Sequence, residues 1–277
     1  MTDANPDPVA ELVALGLERR EARWLVEEFY PGEDPDARPA LLAAARRRLA
    51  GEPLQYVIGH WPFRGLDLDV DPRVLIPRPE TEGLVDVALG ELARVDVAAP
   101  LVLDLGCGSG AIGLALLDEL RQRGVAATLV AIDESTDALA VARANARKHH
   151  LHAVSFLQSN WFDALDASLA GRFDLIVSNP PYVGEQEFAT LDPVLRHEPL
   201  GALVSPSAHG VEGLGDLAVI LSRALDWLAP GGSLVVEHGD RQRTTLLAIA
   251  GERGWTDAQD HDDLSGRARV LVARRPR

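Results

Sequence analysis

From about residue 100 to its end, the chain alternates short apolar runs with segments of helical periodicity. Apolar runs of this length are typical of buried strands, and their alternation with helices predicts an α/β fold built on a mostly parallel sheet. The predicted strands are residues 101–105, 128–132, 154–158, 173–178, 233–238 and 269–273. Residues that follow parallel strands lie at one edge of the sheet, so a ligand site is expected there.

The first part of the chain has a different pattern. Apolar residues recur at helical spacing from about residue 8 to residue 50, with breaks at glycines and prolines, and this predicts a small helical bundle. Apolar and polar residues then alternate over 55–59 and 63–71, which predicts a β-hairpin. The predicted parts are a helical domain over 1–52, a hairpin connector over 53–76 and the α/β domain over 77–277.

A glycine-rich loop follows the first predicted strand. Its glycines let the backbone pass close to a ligand, and the helix that follows offers free N–H groups, which is typical of a nucleotide site. Residues 108–113 also fit the dinucleotide fingerprint, and Asp133 ends the next strand about 20 residues later, where a ribose-binding acid is expected. From this pattern alone, a nicotinamide enzyme stays open.

Two further residues near the predicted strand ends have alternative interpretations. The Asp133 carboxylate can accept hydrogen bonds from both hydroxyls of a ribose, or it can cap the next helix. Trp161 can flank an adenine ring, or it can be a core tryptophan.

The fourth predicted strand ends in Asn179, Pro180, Pro181 and Tyr182. Two consecutive prolines have a fixed φ and no N–H, so the backbone stays extended and its carbonyls lack a strand partner. An amide side chain, a free carbonyl and an aromatic ring suit a planar amide or amino group, because the oxygens can accept its two N–H donors. The alternative is a strand that simply ends in a proline turn.

A proline-stiffened loop over residues 77–82, with the sequence PRPETE, leads into a helix upstream of the sheet. Glu80 and Glu82 are ordinary for a first helical turn, where carboxylates interact favourably with the helix dipole. A stiff loop with Arg78 and Glu80 can equally form a wall of an active site.

Net charge and cysteine content argue against several classes of protein and of site. A formal charge of −15 and a pI near 4.9 argue against sequence-independent binding to nucleic acid phosphates. Cys107 is the only cysteine, so we expect no disulfide within the chain and no cysteine-based zinc site, and we predict no metal. No signal peptide or run of about 20 apolar residues is present, so we expect a cytoplasmic protein that contacts no membrane.

Five motifs together resemble one family. These are DLGCGSG at the glycine loop, Asp133, NPPY after the fourth strand, PRPETE upstream and EHG after the fifth strand. The chain resembles the HemK/PrmC family of protein-(glutamine-N5) methyltransferases, which use S-adenosylmethionine and act on peptide chain release factors. NPPY alone is shared with DNA adenine methyltransferases and other amino methyltransferases. PRPETE joined to a helical N-terminal domain is what limits the resemblance to the HemK/PrmC family.

The resemblance implies a Rossmann-like class I methyltransferase domain with a seven-stranded sheet, the cofactor S-adenosylmethionine and a class I release factor as partner. The implied cofactor-binding residues are Gly106, Cys107, Gly108, Ser109 and Gly110 around the methionine part, Asp133 at the ribose, Asn160 and Trp161 at the adenine, and Asn179. The implied glutamine pocket consists of Asn179, Pro180, Pro181 and Tyr182, of which Asn179, Pro180 and Tyr182 are catalytic.

Asn160 departs from the family pattern, which usually has an acidic residue there, although an amide oxygen can still accept from the adenine amino group. The implied reaction is methylation of the glutamine in a Gly-Gly-Gln tip by a monomeric enzyme without direct contact to nucleic acid. A ribosomal-protein glutamine or a nucleic-acid adenine is the alternative acceptor.

Overall fold

The computed structural model describes residues 7–277, apart from the side chains of Glu33 and Pro35. The first six residues of the predicted N-terminal domain lie outside this range. Four helices come first: α1 (Pro8–Ala14), α2 (Arg19–Phe29), α3 (Arg38–Leu49) and α4 (Leu54–Ile58). Their apolar faces share one core that includes Leu12, Leu25, Leu41 and Val57. The predicted helical bundle is therefore present, and α4 contributes to its core.

The predicted strand over residues 55–59 is wrong, because this segment forms α4. Leu54 and Val57, three positions apart, both pack into the bundle core, which an extended strand could not achieve. Gly59 ends the helix with a left-handed φ of 92°. The hairpin itself follows as β1 (His60–Phe63) and β2 (Leu66–Asp69), which pair in antiparallel fashion.

The α/β part begins with α5 (Thr81–Val95). Seven strands and five helices follow in chain order: β3 (Leu101–Leu105), α6 (Ala111–Gln122), β4 (Thr128–Asp133), α7 (Thr136–Lys148), β5 (Val154–Gln158), β6 (Phe173–Ser178), α8 (Glu185–Phe188), α9 (Gly215–Trp227), β7 (Leu228–Glu237), α10 (Arg243–Glu252), β8 (Thr256–Asp262) and β9 (Ala268–Arg274). The sheet order is β5-β4-β3-β6-β7-β9-β8. The strands from β5 to β7 are parallel, and β9 is antiparallel to both β7 and β8.

All six strands predicted for this part are present, but β7 begins at Leu228, five residues earlier than predicted, and ends at Glu237. β8 was not predicted, because its sequence TDAQDHD contains no apolar run. This strand lies at the edge of the sheet and is mostly exposed, so burial does not impose an apolar pattern on it.

Helices cover both faces of the sheet. One core joins α5, α6 and α7 to the sheet through side chains such as Leu84, Leu114 and Leu139. The other core joins α9 and α10 to the opposite face through Leu217 and Leu246. Because both faces are buried, the central strands are apolar throughout, as their sequences indicate.

A buried asparagine ties the hairpin to the glycine-rich loop. Asn145 on α7 accepts from the Asp69 amide at 2.7 Å and donates from Nδ2 to the carbonyls of Asp69 and Ser109, at 3.1 and 2.9 Å. The connector is thus fixed against the edge of the sheet that carries the loop. Over the range 7–277, none of the helices combines the length and apolar character needed to cross a membrane.

Candidate active site

A cavity of about 410 Å³ lies at the carboxyl ends of β3, β4 and β6, a size typical of small-molecule sites. Its lining includes seven of the predicted site residues: Gly106, Gly108, Asp133, Asn160, Trp161, Asn179 and Pro181. A second cavity of about 50 Å³ adjoins it, since Leu75, Asn179 and Ala202 line both. Pro180 and Tyr182 line the smaller cavity. Cys107, Ser109 and Gly110 are outside both linings and are buried in the loop.

Backbone hydrogen bonds hold the glycine-rich loop between β3 and α6. The Cys107 amide donates to the Ile132 carbonyl at 2.8 Å, and the Gly110 amide donates to the Cys107 carbonyl at 2.7 Å. Gly108 has a φ of 53°, a left-handed conformation that favours glycine. The backbone of the loop therefore lines the cavity at Gly106 and Gly108, and the loop itself has no large side chain that could cover it.

Asp133 is fixed at the tip of β4. Its Oδ2 accepts from the Gly108 amide at 2.8 Å and its Oδ1 from the Ser135 amide at 2.9 Å. The N-cap of α7 is Ser135, whose side chain accepts from the Ala138 amide, so the capping interpretation of Asp133 is wrong. Burial raises the pKa of the Asp133 carboxyl, although the hydrogen bonds from Ser135 and Gly108 oppose this effect. Each carboxylate oxygen keeps lone pairs for a further donor.

Trp161 belongs to the wall of the cavity and is half-buried, and it also packs against the core beneath α9 and α10. Its indole Nε1 donates to Asp216 Oδ1 at 3.1 Å, and the other oxygen of Asp216 accepts from the Ser205 hydroxyl at 2.6 Å. The ring lies beside Gly106, where an added Cβ would be 3.6 Å from it. A flat apolar surface is thereby held at a fixed angle. Asn160 is exposed at the mouth of the cavity.

Asp104, which was not predicted as a site residue, is a fully buried acid beneath the glycine-rich loop. Burial raises its carboxyl pKa to about 7. Its Oδ2 accepts from the Gly113 amide at 2.9 Å, and within residues 7–277 its Oδ1 has no hydrogen-bond partner. An added Cβ at Gly113 would be 2.7 Å from Asp104 Oδ2. The third glycine of the fingerprint therefore serves close packing of α6 on β3.

Asn179 and Pro180, which line the cavities, each have an oxygen that receives no hydrogen bond within residues 7–277. Asn179 Nδ2 donates to Thr81 Oγ1 at 3.2 Å, which leaves Oδ1 on the other side of the amide. Across the described part of the chain, no donor bonds to Asn179 Oδ1 or to the Pro180 carbonyl. The site thus offers two free acceptors at one corner of the backbone.

A buried glutamate lies behind this corner. Glu237, at the end of β7, accepts from the Thr81 hydroxyl at 2.6 Å and from the Tyr182 hydroxyl at 3.0 Å. Burial raises the pKa of Glu237, and the hydrogen bond from Thr81 and the charge of Arg269 oppose the change. Thr81 and Glu237 were not predicted as site residues, although they lie inside the motifs PRPETE and EHG.

Arg78 lines the smaller cavity, whereas Glu80 is exposed and its side chain makes no capping hydrogen bond to α5. The Arg78 guanidinium pairs with the buried Glu198 carboxylate at 2.5 Å. The same carboxylate accepts from the Ile76 amide at 3.0 Å. Glu198 therefore joins the PRPETE loop to the segment after β6, and the two segments together enclose the cavities.

The charge of the lining discriminates between cofactor classes. Three carboxylates line the larger cavity, from Asp133, Glu134 and Asp216, against the single guanidinium of Arg73. Arg73 is itself paired with Asp71 at 2.6 Å. Such a lining favours a cationic ligand over a dinucleotide with a diphosphate. A strand-tip carboxylate for a ribose, a flat indole and a net negative lining fit the nucleoside and sulfonium of S-adenosylmethionine.

Comparison with known proteins agrees with this geometry. Residues 99–261 match a family model described as a methyltransferase domain. The chain is 40% identical over 268 residues to the release factor glutamine methyltransferase of Burkholderia pseudomallei, covering 95% of this chain and 89% of that protein. It is also 40% identical over 279 residues to the protein of the same name from Haemophilus influenzae, covering 97% and 92%. A solved methyltransferase from Pyrococcus furiosus shares the fold, with a TM-score of 0.53 at 15% identity, over 88% of this chain and 100% of that chain.

Fold and site thus define a class I methyltransferase that uses S-adenosylmethionine, as the resemblance implied, and the nicotinamide alternative is wrong. Within this class, the chain belongs to the family of release factor glutamine methyltransferases.

Proposed function

We propose that this enzyme methylates the side-chain amide nitrogen (N5) of the glutamine in the Gly-Gly-Gln tip of class I release factors. The observation that carries the proposal is the pair of free acceptors, Asn179 Oδ1 and the Pro180 carbonyl, at the junction of the two cavities. A primary amide has two N–H donors on one planar nitrogen, so it matches this pair. The names of the relatives support the choice of a release factor as the substrate.

The larger cavity is the proposed cofactor site. We assign Asp133 to the ribose hydroxyls, Trp161 and Asn160 to the adenine, and the loop from Gly106 to Gly110 to the methionine part. The cavity wall formed by Gly106, Gly108, Asp133, Asn160 and Trp161 supports this assignment. When bound, S-adenosylmethionine supplies an electrophilic methyl group on a sulfonium. The carboxylate-rich lining favours that positive charge.

The smaller cavity is the proposed glutamine pocket. An amide nitrogen is a poor nucleophile because its lone pair is delocalised into the carbonyl. Hydrogen bonds to Asn179 Oδ1 and the Pro180 carbonyl would hold this nitrogen toward the cofactor cavity and favour the positive charge that it gains during attack. As the bond from nitrogen to the methyl carbon forms, the bond from that carbon to the sulfonium sulfur breaks, and the nitrogen then loses one of its two N–H protons to water. Orientation of this kind contributes about 7–11 kcal/mol in well-aligned reactions. Tyr182 lines this smaller cavity and would cover the amide plane, whereas Pro181 lines the cofactor cavity next to it.

The parts outside the α/β domain have a proposed role in substrate choice. We assign recognition of the release factor to the helical domain over residues 1–52, joined by the connector over 53–76 to the catalytic domain over 77–277. The carboxylate-rich charge of the chain, −15 in all, disfavours direct contact with nucleic acid. We take the working form to be a cytoplasmic monomer, which light scattering can test.

Mass spectrometry of a release factor incubated with the enzyme and S-adenosylmethionine tests the proposal. We expect a mass gain of one methylene unit, located by fragmentation on the glutamine of the Gly-Gly-Gln tip. A release factor with alanine in place of that glutamine should gain nothing. Methylation of an adenine-containing oligonucleotide or of a ribosomal protein, with the release factor unmodified, would contradict the proposal.

The variant Asn179→Ala tests the acceptor pair directly. Removing one hydrogen-bonding group that acts in the transition state typically lowers kcat about 10²- to 10³-fold, so methylation should be practically lost. Folding should remain intact, because the side chain makes a single hydrogen bond within the described chain. Full activity of this variant would remove Asn179 from the mechanism.

A further inference from the structure

A continuous chain of hydrogen bonds runs behind the substrate corner. Asn179 Nδ2 is 3.2 Å from Thr81 Oγ1, which is 2.6 Å from one oxygen of Glu237. The other oxygen of Glu237 is 3.0 Å from the Tyr182 hydroxyl. Thr81 and Glu237 are buried, so water does not provide alternative partners.

The directions of these hydrogen bonds follow from the two charged groups in the chain, Arg269 and Glu237. Arg269 Nη1 lies 3.4 Å from the Tyr182 hydroxyl, and a guanidinium only donates. The Tyr182 hydroxyl therefore accepts from Arg269 and donates to Glu237. Glu237 as a carboxylate only accepts, so the Thr81 hydroxyl must also donate to it. Thr81 Oγ1 is then left as an acceptor for Asn179.

We propose that Thr81 and Glu237 are positioning residues that fix the orientation of the Asn179 carboxamide. The two ends of a carboxamide have nearly the same shape, so packing alone does not distinguish them. Because Thr81 can only accept from Asn179, the amino group must point to Thr81 and Oδ1 must point to the substrate. In the flipped orientation, the N–H groups of Asn179 would face the N–H groups of the substrate glutamine, and donors cannot bond to each other. This inference rests on the proposed function and assigns how its key acceptor is oriented.

The variant Glu237→Gln separates orientation from structural support. A glutamine keeps the size of the side chain and can keep each of these hydrogen bonds. Its oxygen keeps the hydrogen bond from the Tyr182 hydroxyl, so its amino group donates to Thr81 Oγ1. The Thr81 proton then no longer has the carboxylate as its acceptor, and Asn179 Oδ1 is the acceptor left to it in this chain of hydrogen bonds. The hydrogen bonds between position 237 and Asn179 then run in the opposite direction, and the Asn179 carboxamide flips. We expect kcat on a release factor to fall at least about 100-fold, with S-adenosylmethionine affinity unchanged within about threefold.

Variants of Thr81 test the same link independently. Thr81→Val removes the hydroxyl and should lower kcat about tenfold or more, since neither orientation of Asn179 is then enforced. Thr81→Ser restores the hydroxyl and should recover most of the lost kcat. In the double variant Glu237→Gln with Thr81→Val, no hydroxyl connects position 237 to Asn179. The change at position 237 therefore cannot flip the Asn179 carboxamide. Its kcat should therefore be higher than that of Glu237→Gln alone, which a purely structural role of Glu237 does not produce.

Thr256→Val and Glu252→Gln, both at exposed positions outside the two cavities, are the matched controls and should behave as the wild type. The wild type is assayed first. If it leaves the release factor unmodified, the proposed function fails and this inference falls with it. If the wild type is active and folded Glu237→Gln retains kcat within threefold, the inference alone is overturned. If Glu237→Gln does not fold, equal kcat values of Thr81→Val and Thr81→Ser overturn it.

Discussion

Gly213 lies against the backbone of the NPPY segment, and its replacement by alanine should displace Tyr182. Gly213 has a φ of 70°, and an added Cβ would be 2.1 Å from the Tyr182 carbonyl oxygen and 2.7 Å from its carbon. The atoms in the way belong to the main chain, so no side-chain rotation relieves the overlap. The same carbonyl accepts from Gln242 Nε2 at 3.0 Å, which resists its movement.

The size of the effect follows from these distances. Real Cβ atoms essentially never approach another heavy atom within 3.0 Å, so the two backbone segments must separate by about 0.9 Å. A displacement of about 1 Å near reacting groups can lower a rate about 10²-fold. The overlap should also destabilise the fold by about 1–3 kcal/mol, as overpacking usually does. A left-handed alanine costs a further ~1–2 kcal/mol.

Gly210→Ala is the matched control. Gly210 has a similar φ of 75°, but an added Cβ there would meet nothing within 4 Å. The difference between the two variants therefore isolates the contact with Tyr182. We expect kcat on a release factor to fall about 10²-fold in Gly213→Ala relative to Gly210→Ala, with S-adenosylmethionine affinity by calorimetry similar in both. Equal kcat values in two folded variants would refute the reasoning that the turn at Gly213 sets the position of Tyr182.

Two further predictions concern cofactor binding and stability. Asp133→Asn keeps the side-chain size but turns an amino group toward the amide N–H of Gly108 or Ser135, which now donate to the carboxylate. Calorimetry should therefore show S-adenosylmethionine affinity reduced about 10- to 100-fold. An unchanged Kd would contradict the assignment of Asp133 to the ribose. Glu91 is buried, which alone would raise its pKa, but hydrogen bonds from Arg274, Ser233 and Arg94 lower the pKa to about 2. Because the folded-state pKa lies below the ordinary value, this stabilisation is complete above about pH 4.5 and is lost as the pH falls toward 2. Glu91→Gln should lower the free energy of unfolding by about 3 kcal/mol at pH 7, and the difference from wild type in denaturant titrations should shrink over that acidic range. A difference that is constant from pH 7 to pH 3 would refute this account.

The parts of the fold that the sequence predicts are those in which burial controls residue choice. The central strand β6 is apolar because both faces are covered, so its run is visible without tertiary information. The edge strand β8 gains its pairing from β9 and little burial, so its polar sequence carries no signal. Helix α4 is short, and alternation over five residues does not distinguish it from a strand until Leu54 and Val57 are seen in the bundle core.

The site residues also divide into those that the sequence predicts and those that only tertiary contacts reveal. Asn179 and Asp133 could be placed near each other because parallel strands end at one edge of a sheet. Thr81 and Glu237 are 156 positions apart, and their contact depends on how α5 packs on β7. Asp104 is an acid within an apolar strand, and only its burial and its bond to Gly113 reveal that it ties α6 to β3. Contacts between distant segments are thus what the sequence leaves undetermined.

An acceptor pair also limits how far the reaction can proceed. The unmodified glutamine amide satisfies Asn179 Oδ1 and the Pro180 carbonyl with its two N–H groups, whereas the methylated amide has one N–H left. One acceptor then loses its partner in a half-buried site, which costs about 1–3 kcal/mol, and the added methyl occupies the space toward the cofactor cavity. We therefore expect a single methyl group on the glutamine even at long incubation with excess S-adenosylmethionine. Mass spectrometry that shows a second methyl group on the same nitrogen would mean that the two oxygens do not hold both N–H groups.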